Sequence, residues 1–353
     1  MTRLMDGNAQ RDADPTHRAL IPKTLQTDAD VWQKTMAEYK RLMPLDGDPE
    51  SRLRALGRAY AKYSPHRAAL PPAPLAGRCP VCGAESVSPL LARQPGPLLY
   101  GRCGECGHGV LLDRGDYPLN EPYDGDGYYG QRYRYGVGYH DYGGEAAYRE
   151  AKGERVMARI SEIAGEPFRR LLEVGSGYGF TRVAAERRGL FTGGVDVNPH
   201  ACLEAERRYG LKSYPGTLSQ ALADPDSDIT AAGWDAVLYQ FVLEHLPDPR
   251  LELRTASVAL SSSGWLALWV PSMEAMEIEV FGASYRSFRA DHLHLFSRVS
   301  LCHLLASSGF EPRWVETTCS IHLFQGFLSA PELDRLYARG LAPDFFVLAR
   351  RLT

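Results

Sequence analysis

An α/β protein is predicted: a doubly wound, Rossmann-like sheet of seven strands, preceded by a helical segment and a zinc ribbon. Three observations predict it. From about residue 149 onward, short apolar runs alternate with amphipathic stretches, the pattern of parallel strands covered by helices on both faces. One of these runs, Leu171 to Val174, passes directly into Gly175, Gly177 and Gly179, a turn that lets a ligand lie against bare backbone. Upstream, Cys79/Cys82 and Cys103/Cys106 form two C-x-x-C pairs separated by 20 residues, a structural zinc spacing.

Residues 1 to about 25 are polar and lack periodicity. A helix begins after Thr27 and carries Trp32, Met36, Tyr39 and Met43 on one face. A second, Pro49 to Tyr63, aligns Leu53, Leu56 and Tyr60. A Pro-rich connector closes this 1–75 segment. The paired cysteines set the ribbon at 76–115. The 116–148 stretch is dense in tyrosine (Tyr123, Tyr128, Tyr129, Tyr133, Tyr135, Tyr139, Tyr142) and is read as an ordered wrap or lid over the 149–353 domain. Within that domain the strands are RLLEVG, FTGGVDV, a weak one at KSYP, WDAVLYQF, GWLALWVP and the terminal pair PRWVETTC and DFFVLARR, the last two as a closing hairpin.

Composition narrows the function classes. A net charge of −3 gives no general attraction to a phosphate backbone, so nucleic acid is disfavoured as partner. The longest apolar run, near Trp265 to Val270, is too short to span a bilayer, and the N-terminus lacks an apolar signal core; the expectation is a cytoplasmic protein without a membrane partner. Seven cysteines, an odd number, argue against a disulfide framework. Four thiolates make a closed structural Zn2+ site; a redox dithiol or free thiols are the alternatives. Cys202, Cys302 and Cys319 read as small buried hydrophobes.

The glycine turn departs from the dinucleotide fingerprint. Phe180 occupies the place of its third glycine, and Glu173 stands just before the loop, where a carboxylate suits an ammonium group better than a pyrophosphate. The next strand ends in Asp196, placed to accept hydrogen bonds from ribose hydroxyls. A ligand with a ribose, an amino group and no phosphate is implied. The series LLEVGSGYG, GVDVNP, WDAVLYQFVLEHLPDP, GWLALWVP and HLHLFS with LLASSGF resembles the successive motifs of class I S-adenosylmethionine-dependent methyltransferases over about residues 170–350. The resemblance implies S-adenosylmethionine as cofactor, with Gly175, Gly177 and Gly179 under its methionine part. Glu173 would face its amino group, Asp196 the ribose and Leu218 the adenine, with Gln240 in the same set. Together with the ribbon, the chain is similar to bacterial small-molecule methyltransferases that include C-methyltransferases of deoxysugars.

Methyl transfer from a sulfonium needs the acceptor positioned and, where necessary, deprotonated. Glu244 and His245 follow the fourth strand; His245 is the leading base, Glu244 a second base or its orienting partner, and capping of the following helix is the competing role. His292 and His294 stand where an insertion after the fifth strand rejoins the core, and one of them is expected to face the substrate. The insertion, with Met273, Met276, Phe281, Tyr285 and Phe288, has the composition of a pocket wall or of plain core. The expected acceptor is a small polar metabolite such as a nucleotide sugar. A protein, peptide or carrier-bound substrate docked by the ribbon is the alternative, with nucleic acid behind it. Oligomeric state is left open.

Overall fold

The computed structural model describes residues 29–42, 47–64, 67–68, 77–94, 98–114, 117, 128–129, 141–319, 324 and 327–352. Helices α1 (Ala29–Leu42) and α2 (Pro49–Tyr63) come first. Asp48 caps α2 by accepting from the backbone N–H groups of Glu50 and Ser51, with Pro49 in the first turn, where a missing N–H costs nothing. The strands β1 (Arg67–Ala68), β2 (Val87–Gln94), β3 (Leu98–Cys103) and β4 (Gly109–Asp113) follow as an antiparallel meander carrying the cysteines at its turns.

The larger unit begins with α3 (Ala146–Ala164) and β5 (Arg170–Val174), then α4 (Phe180–Glu186), β6 (Phe191–Asp196), α5 (Pro199–Tyr209), β7 (Tyr214–Pro215), α6 (Leu218–Ala223) and β8 (Trp234–Gln240). It continues through α7 (Pro249–Ala259), β9 (Leu260–Pro271), α8 (Met276–Phe281), β10 (His294–Leu295), α9 (Arg298–Ser307), β11 (Phe310–Thr318), α10 (Ala330–Ala338) and β12 (Asp344–Arg351). Seven strands form one sheet in the order β11-β12-β9-β8-β5-β6-β7. The neighbours from β9 to β7 are all parallel, and β12 runs antiparallel to both β9 and β11. The predicted doubly wound sheet is therefore present, strand for strand. Its central strands are buried on both faces: Leu171 and Leu172 on β5, Val237 and Leu238 on β8, Leu266 and Ala267 on β9. That is why they read as continuous apolar runs. The terminal pair differs in one respect: α10 lies between β11 and β12, so their pairing is not closed by a tight hairpin turn.

Two further departures come from residues 272–297. First, β10 leaves the large unit and pairs antiparallel with β4, completing a five-stranded sheet of order β1-β2-β3-β4-β10. The approach is close: a Cβ on Gly109 would meet Met273 Sδ at 2.7 Å and Leu295 Cβ at 3.0 Å. Second, the apolar residues of this segment are core and not pocket wall. Met276, Val280 and Phe281 pack with Leu53, Leu56 and Tyr60 of α2, while Met273, Tyr285 and Phe288 pack with Tyr100 of β3. Composition does not separate these outcomes, because a wall and a core use the same side chains.

Helix α2 rests directly on α8. A Cβ at Gly57 would lie 3.0 Å from the Glu279 carbonyl oxygen and 3.1 Å from Val280 Cα, both backbone atoms that cannot swing aside. Gly57→Val should therefore destabilise the protein by about 1–3 kcal/mol, as overpacking does elsewhere. Thermal unfolding would show a lowered Tm; an unchanged Tm would mean that α2 is not docked on α8 in solution.

Candidate active site

The site is built at the carboxyl ends of β5, β6 and β8. Gly175, Gly177 and Gly179 all take positive φ, at 70°, 51° and 80°. At Gly175 the need is steric as well, since a side chain would strike Val242. The loop is pinned to β6: the N–H groups of Gly175 and Ser176 both donate to the Val195 carbonyl, at 2.8 and 3.1 Å. Gly177 N–H donates to Asp196 Oδ2 at 2.7 Å.

Glu173, at 3% exposure, has an Oε2 with no hydrogen-bond partner, and so does the buried Oε1 of Gln240 across the β5–β8 pair. Both residues line a cavity of about 50 Å³ with Gly175, Ser176, Thr181 and Phe241. Burial pushes the Glu173 carboxyl up to about 8, against the pull of Arg182. Two residues that each carry an unpartnered buried oxygen thus line one small space beside the glycine loop. A larger cavity, about 410 Å³, lies away from this loop along the outer part of β6, and none of the predicted site residues lines it.

Asp196 is buried, and burial raises its pKa. Its Oδ1 accepts from Asn198 N–H at 2.9 Å, and its Oδ2 lies 3.5 Å from the Tyr129 hydroxyl as well as on Gly177 N–H. Each carboxylate oxygen has two acceptor positions, so Oδ1 retains capacity for a further donor. Tyr129, Tyr142 and Tyr178 pack against one another in tilted and edge-on contacts, with centroids 4.8–5.2 Å apart. Tyr129 and Tyr142, from the 116–148 stretch, pack on Tyr178 of the loop, while most of 116–148 lies outside the described residues. Leu218 differs from expectation. Its side chain is buried in the main core with Val195 and Ala221, and the exposed groups at the start of α6 are Thr217 and Ser219. A leucine placed first in an amphipathic helix is drawn to the core by its burial free energy.

Beyond β8, Leu243–His245 form a single helical turn. Glu244 is fully buried, neither carboxyl oxygen has a partner, and burial raises its pKa well above the carboxylate range. His245 donates from Nδ1 to the Asp291 carbonyl at 2.8 Å, and His292 from Nδ1 to the Ser287 carbonyl at 2.9 Å. Their ring centroids lie 4.8 Å apart. Burial lowers both pKa values, that of His292 well below 6.5; Asp291 draws His245 partly back. His294 corrects an expectation. Its Nε2–H donates to the Leu246 carbonyl at 3.1 Å, so its Nδ1 accepts from His108 Nε2, also at 3.1 Å. With both nitrogens engaged, the ring ties the ribbon to the turn and offers nothing to an acceptor.

Residues 146–313 match a family model described as a methyltransferase domain. That stretch, just under half of the chain, is similar to a methyltransferase domain. Similar curated proteins include two named ubiquinone biosynthesis O-methyltransferase: one from Hahella chejuensis, 35% identical over 26% of this chain and 38% of its own length, and one from Bordetella avium, 32% identical over 30% and 45%. The chain thus spans less than half the length of these relatives. Among solved structures, a SAM-dependent methyltransferase from Archaeoglobus fulgidus is 18% identical, covering 57% of this chain and 94% of that one with a TM-score of 0.44.

Outside the methyltransferase domain, the four ribbon cysteines converge. Cys79 Sγ lies 3.6 Å from Cys106 Sγ, Cys82 Sγ lies 3.6 Å from Cys103 Sγ, and all four sulfurs fall within 4.8 Å of one another without a disulfide. A tetrahedron of thiolates at the usual zinc–sulfur distance has edges of about 3.8 Å, so the arrangement fits. The cluster also grips the methyltransferase domain: Ser297 Oγ donates to the Cys106 carbonyl and Arg250 to the Val81 carbonyl. Sequence reasoning missed Arg149 and Lys152, which line the cavity from α3, with Lys152 Nζ 4.7 Å from the Phe241 and Trp269 ring centroids. It also missed Phe241, a non-glycine residue at φ 57°. Only the three-residue spacing of Arg149 and Lys152 on an amphipathic helix hinted at a shared face.

Proposed function

We propose that the chain is an S-adenosylmethionine-dependent methyltransferase of a small polar acceptor, a nucleotide sugar or a related metabolite, with Zn2+ held by Cys79, Cys82, Cys103 and Cys106. The single observation that carries the cofactor is the pair of unpartnered oxygens, Glu173 Oε2 and Gln240 Oε1, on two residues that line one cavity beside the glycine loop. Buried acceptors in that state call for a donor, and an ammonium supplies three. When bound, S-adenosylmethionine supplies the methyl group and the sulfonium leaving group. Glu173 and Gln240 receive its ammonium, Gly175 to Gly179 give its methionine part room, and Asp196 takes the ribose hydroxyls. The Glu244–His245 turn, next along the chain after Gln240, activates the acceptor. Similarity to ubiquinone biosynthesis O-methyltransferases supports a small-molecule acceptor. The ribbon is given a structural part, because β10, His294 and Ser297 already engage its inner side.

Calorimetric titration of metal-analysed protein with S-adenosylhomocysteine tests this reading. Micromolar binding is expected, together with zinc in the cysteine cluster. Asp196→Asn should weaken it by roughly 10- to 150-fold, the loss of a charge-assisted hydrogen bond of about 1.5–3 kcal/mol. Absence of binding to folded, zinc-loaded protein would overturn the cofactor assignment, and unchanged affinity in Asp196→Asn would remove the ribose contact.

A further inference from the structure

Glu244 has no exposed surface, and neither of its carboxyl oxygens has a hydrogen-bond partner. A carboxyl desolvated on these terms costs several kcal/mol unless something positive or protic meets it. Its near neighbours are two imidazoles. One ligand atom each from Glu244, His245 and His292 lies within 4.8 Å of the other two. Both rings are held from behind by backbone carbonyls, His245 through Nδ1 on Asp291 and His292 through Nδ1 on Ser287. A neutral ring tied in this way carries its lone pair on Nε2, and a carbonyl behind Nδ1 is the usual outer partner of a metal-bound histidine. The support continues one step further out, since Arg289 holds the Asp291 carboxylate with two hydrogen bonds of 2.9 and 2.7 Å.

We infer that Glu244, His245 and His292 bind a divalent transition-metal cation at the acceptor end of the methyltransferase domain. Two imidazoles and one carboxylate suit Zn2+, Fe2+ or Co2+; Mg2+ and Ca2+ prefer all-oxygen sets. Three protein ligands leave at least one position for an outside oxygen. The acceptor class that such a site takes is one with an ionisable hydroxyl or enolic oxygen. That last step rests on the methyltransferase reading, whereas the cation site stands on the side chains alone. The site differs from the cysteine cluster in chemistry, with nitrogen and oxygen in place of sulfur, and this difference makes the two separable.

The test uses the full chain, dialysed against a weak chelator to one zinc per chain so that the cysteine cluster stays filled, and then titrated with Co2+. A second equivalent should be taken up with weak visible d–d bands and without the thiolate-to-cobalt charge-transfer band that marks exchange at the cysteines. Glu244→Gln and His292→Gln should each weaken this uptake at least about 100-fold, while zinc content and S-adenosylhomocysteine affinity stay at their original values. If Glu244→Gln does not fold, His292→Gln decides alone. Uptake confined to the cysteine cluster, or uptake indifferent to these substitutions, would overturn the site. Failure of the wild-type chain to bind S-adenosylhomocysteine would strike the cofactor reading instead, and the cobalt spectrum would still report on the cation.

Discussion

Glu173→Gln should abolish measurable S-adenosylhomocysteine binding and at the same time raise the Tm of the cofactor-free protein at pH 8. Both effects come from the same burial. The carboxyl sits at 3% exposure with its pKa pushed up to about 8, so near neutrality burial holds it protonated. In the unfolded chain the same group ionises near 4.3. The folded state therefore binds the proton more tightly, and the cost is absent below about pH 4. Stability falls as pH rises from there to about 8, by an amount on the order of 5 kcal/mol, and is level above. Glutamine has no charge to desolvate, so the variant escapes this loss. The ammonium of the cofactor needs the ionised form, and wild-type binding at pH 7 should release close to one proton. Calorimetry in buffers of different ionisation enthalpy would count that proton, and Glu173→Gln should release none. Equal affinity and equal proton release in both proteins would place the ammonium elsewhere.

Arg286→Met should produce the largest loss of stability. Arg286 bridges Asp344, at 3.1 and 3.2 Å, and Glu277, at 3.3 Å, and both carboxyl side chains are at most 2% exposed. Asp344 begins β12, the strand inserted between β9 and β11, and Glu277 lies on α8. Removing the cation that two buried carboxyls share typically costs about 3–5 kcal/mol, because desolvation remains when the attraction is gone. In a chain of this size that is a fall in Tm on the order of 10 °C. The deficit should shrink at low pH, where Glu277, already pushed up to about 7 by burial, is protonated in any case. A Tm within a degree or two of wild type would show that the bridge contributes little.

The sheet was legible because each of its inner strands is buried on both faces and spells out an apolar run. The glycine loop was legible because its chemistry depends on spacing: Glu173 before it and Asp196 at the end of the next strand lie on neighbouring, paired strands. What escaped was whatever depends on contacts between distant segments. β10 is two residues long, too short for an alternation of polar and apolar positions to register. His294 looked like a ligand for substrate because an exposed histidine and one wired to His108 are the same letter. The place of Leu218 after the third strand points to the adenine, yet its apolar side chain takes the core. Glu244, His245 and His292 come together only because the 272–297 segment folds back across the turn after β8.

That folded-back segment has a consequence for exchanging parts between related chains. The cysteine-bearing sheet is completed by β10, its knuckle is held by Ser297, and its buried histidine meets His294, all from a stretch about 190 residues further along the chain. Splicing a foreign ribbon onto this chain at residue 115 would keep the wrong half of the joint. The transplantable unit is discontinuous: residues 76–115 together with 272–297, the two pieces travelling as one graft although the chain separates them.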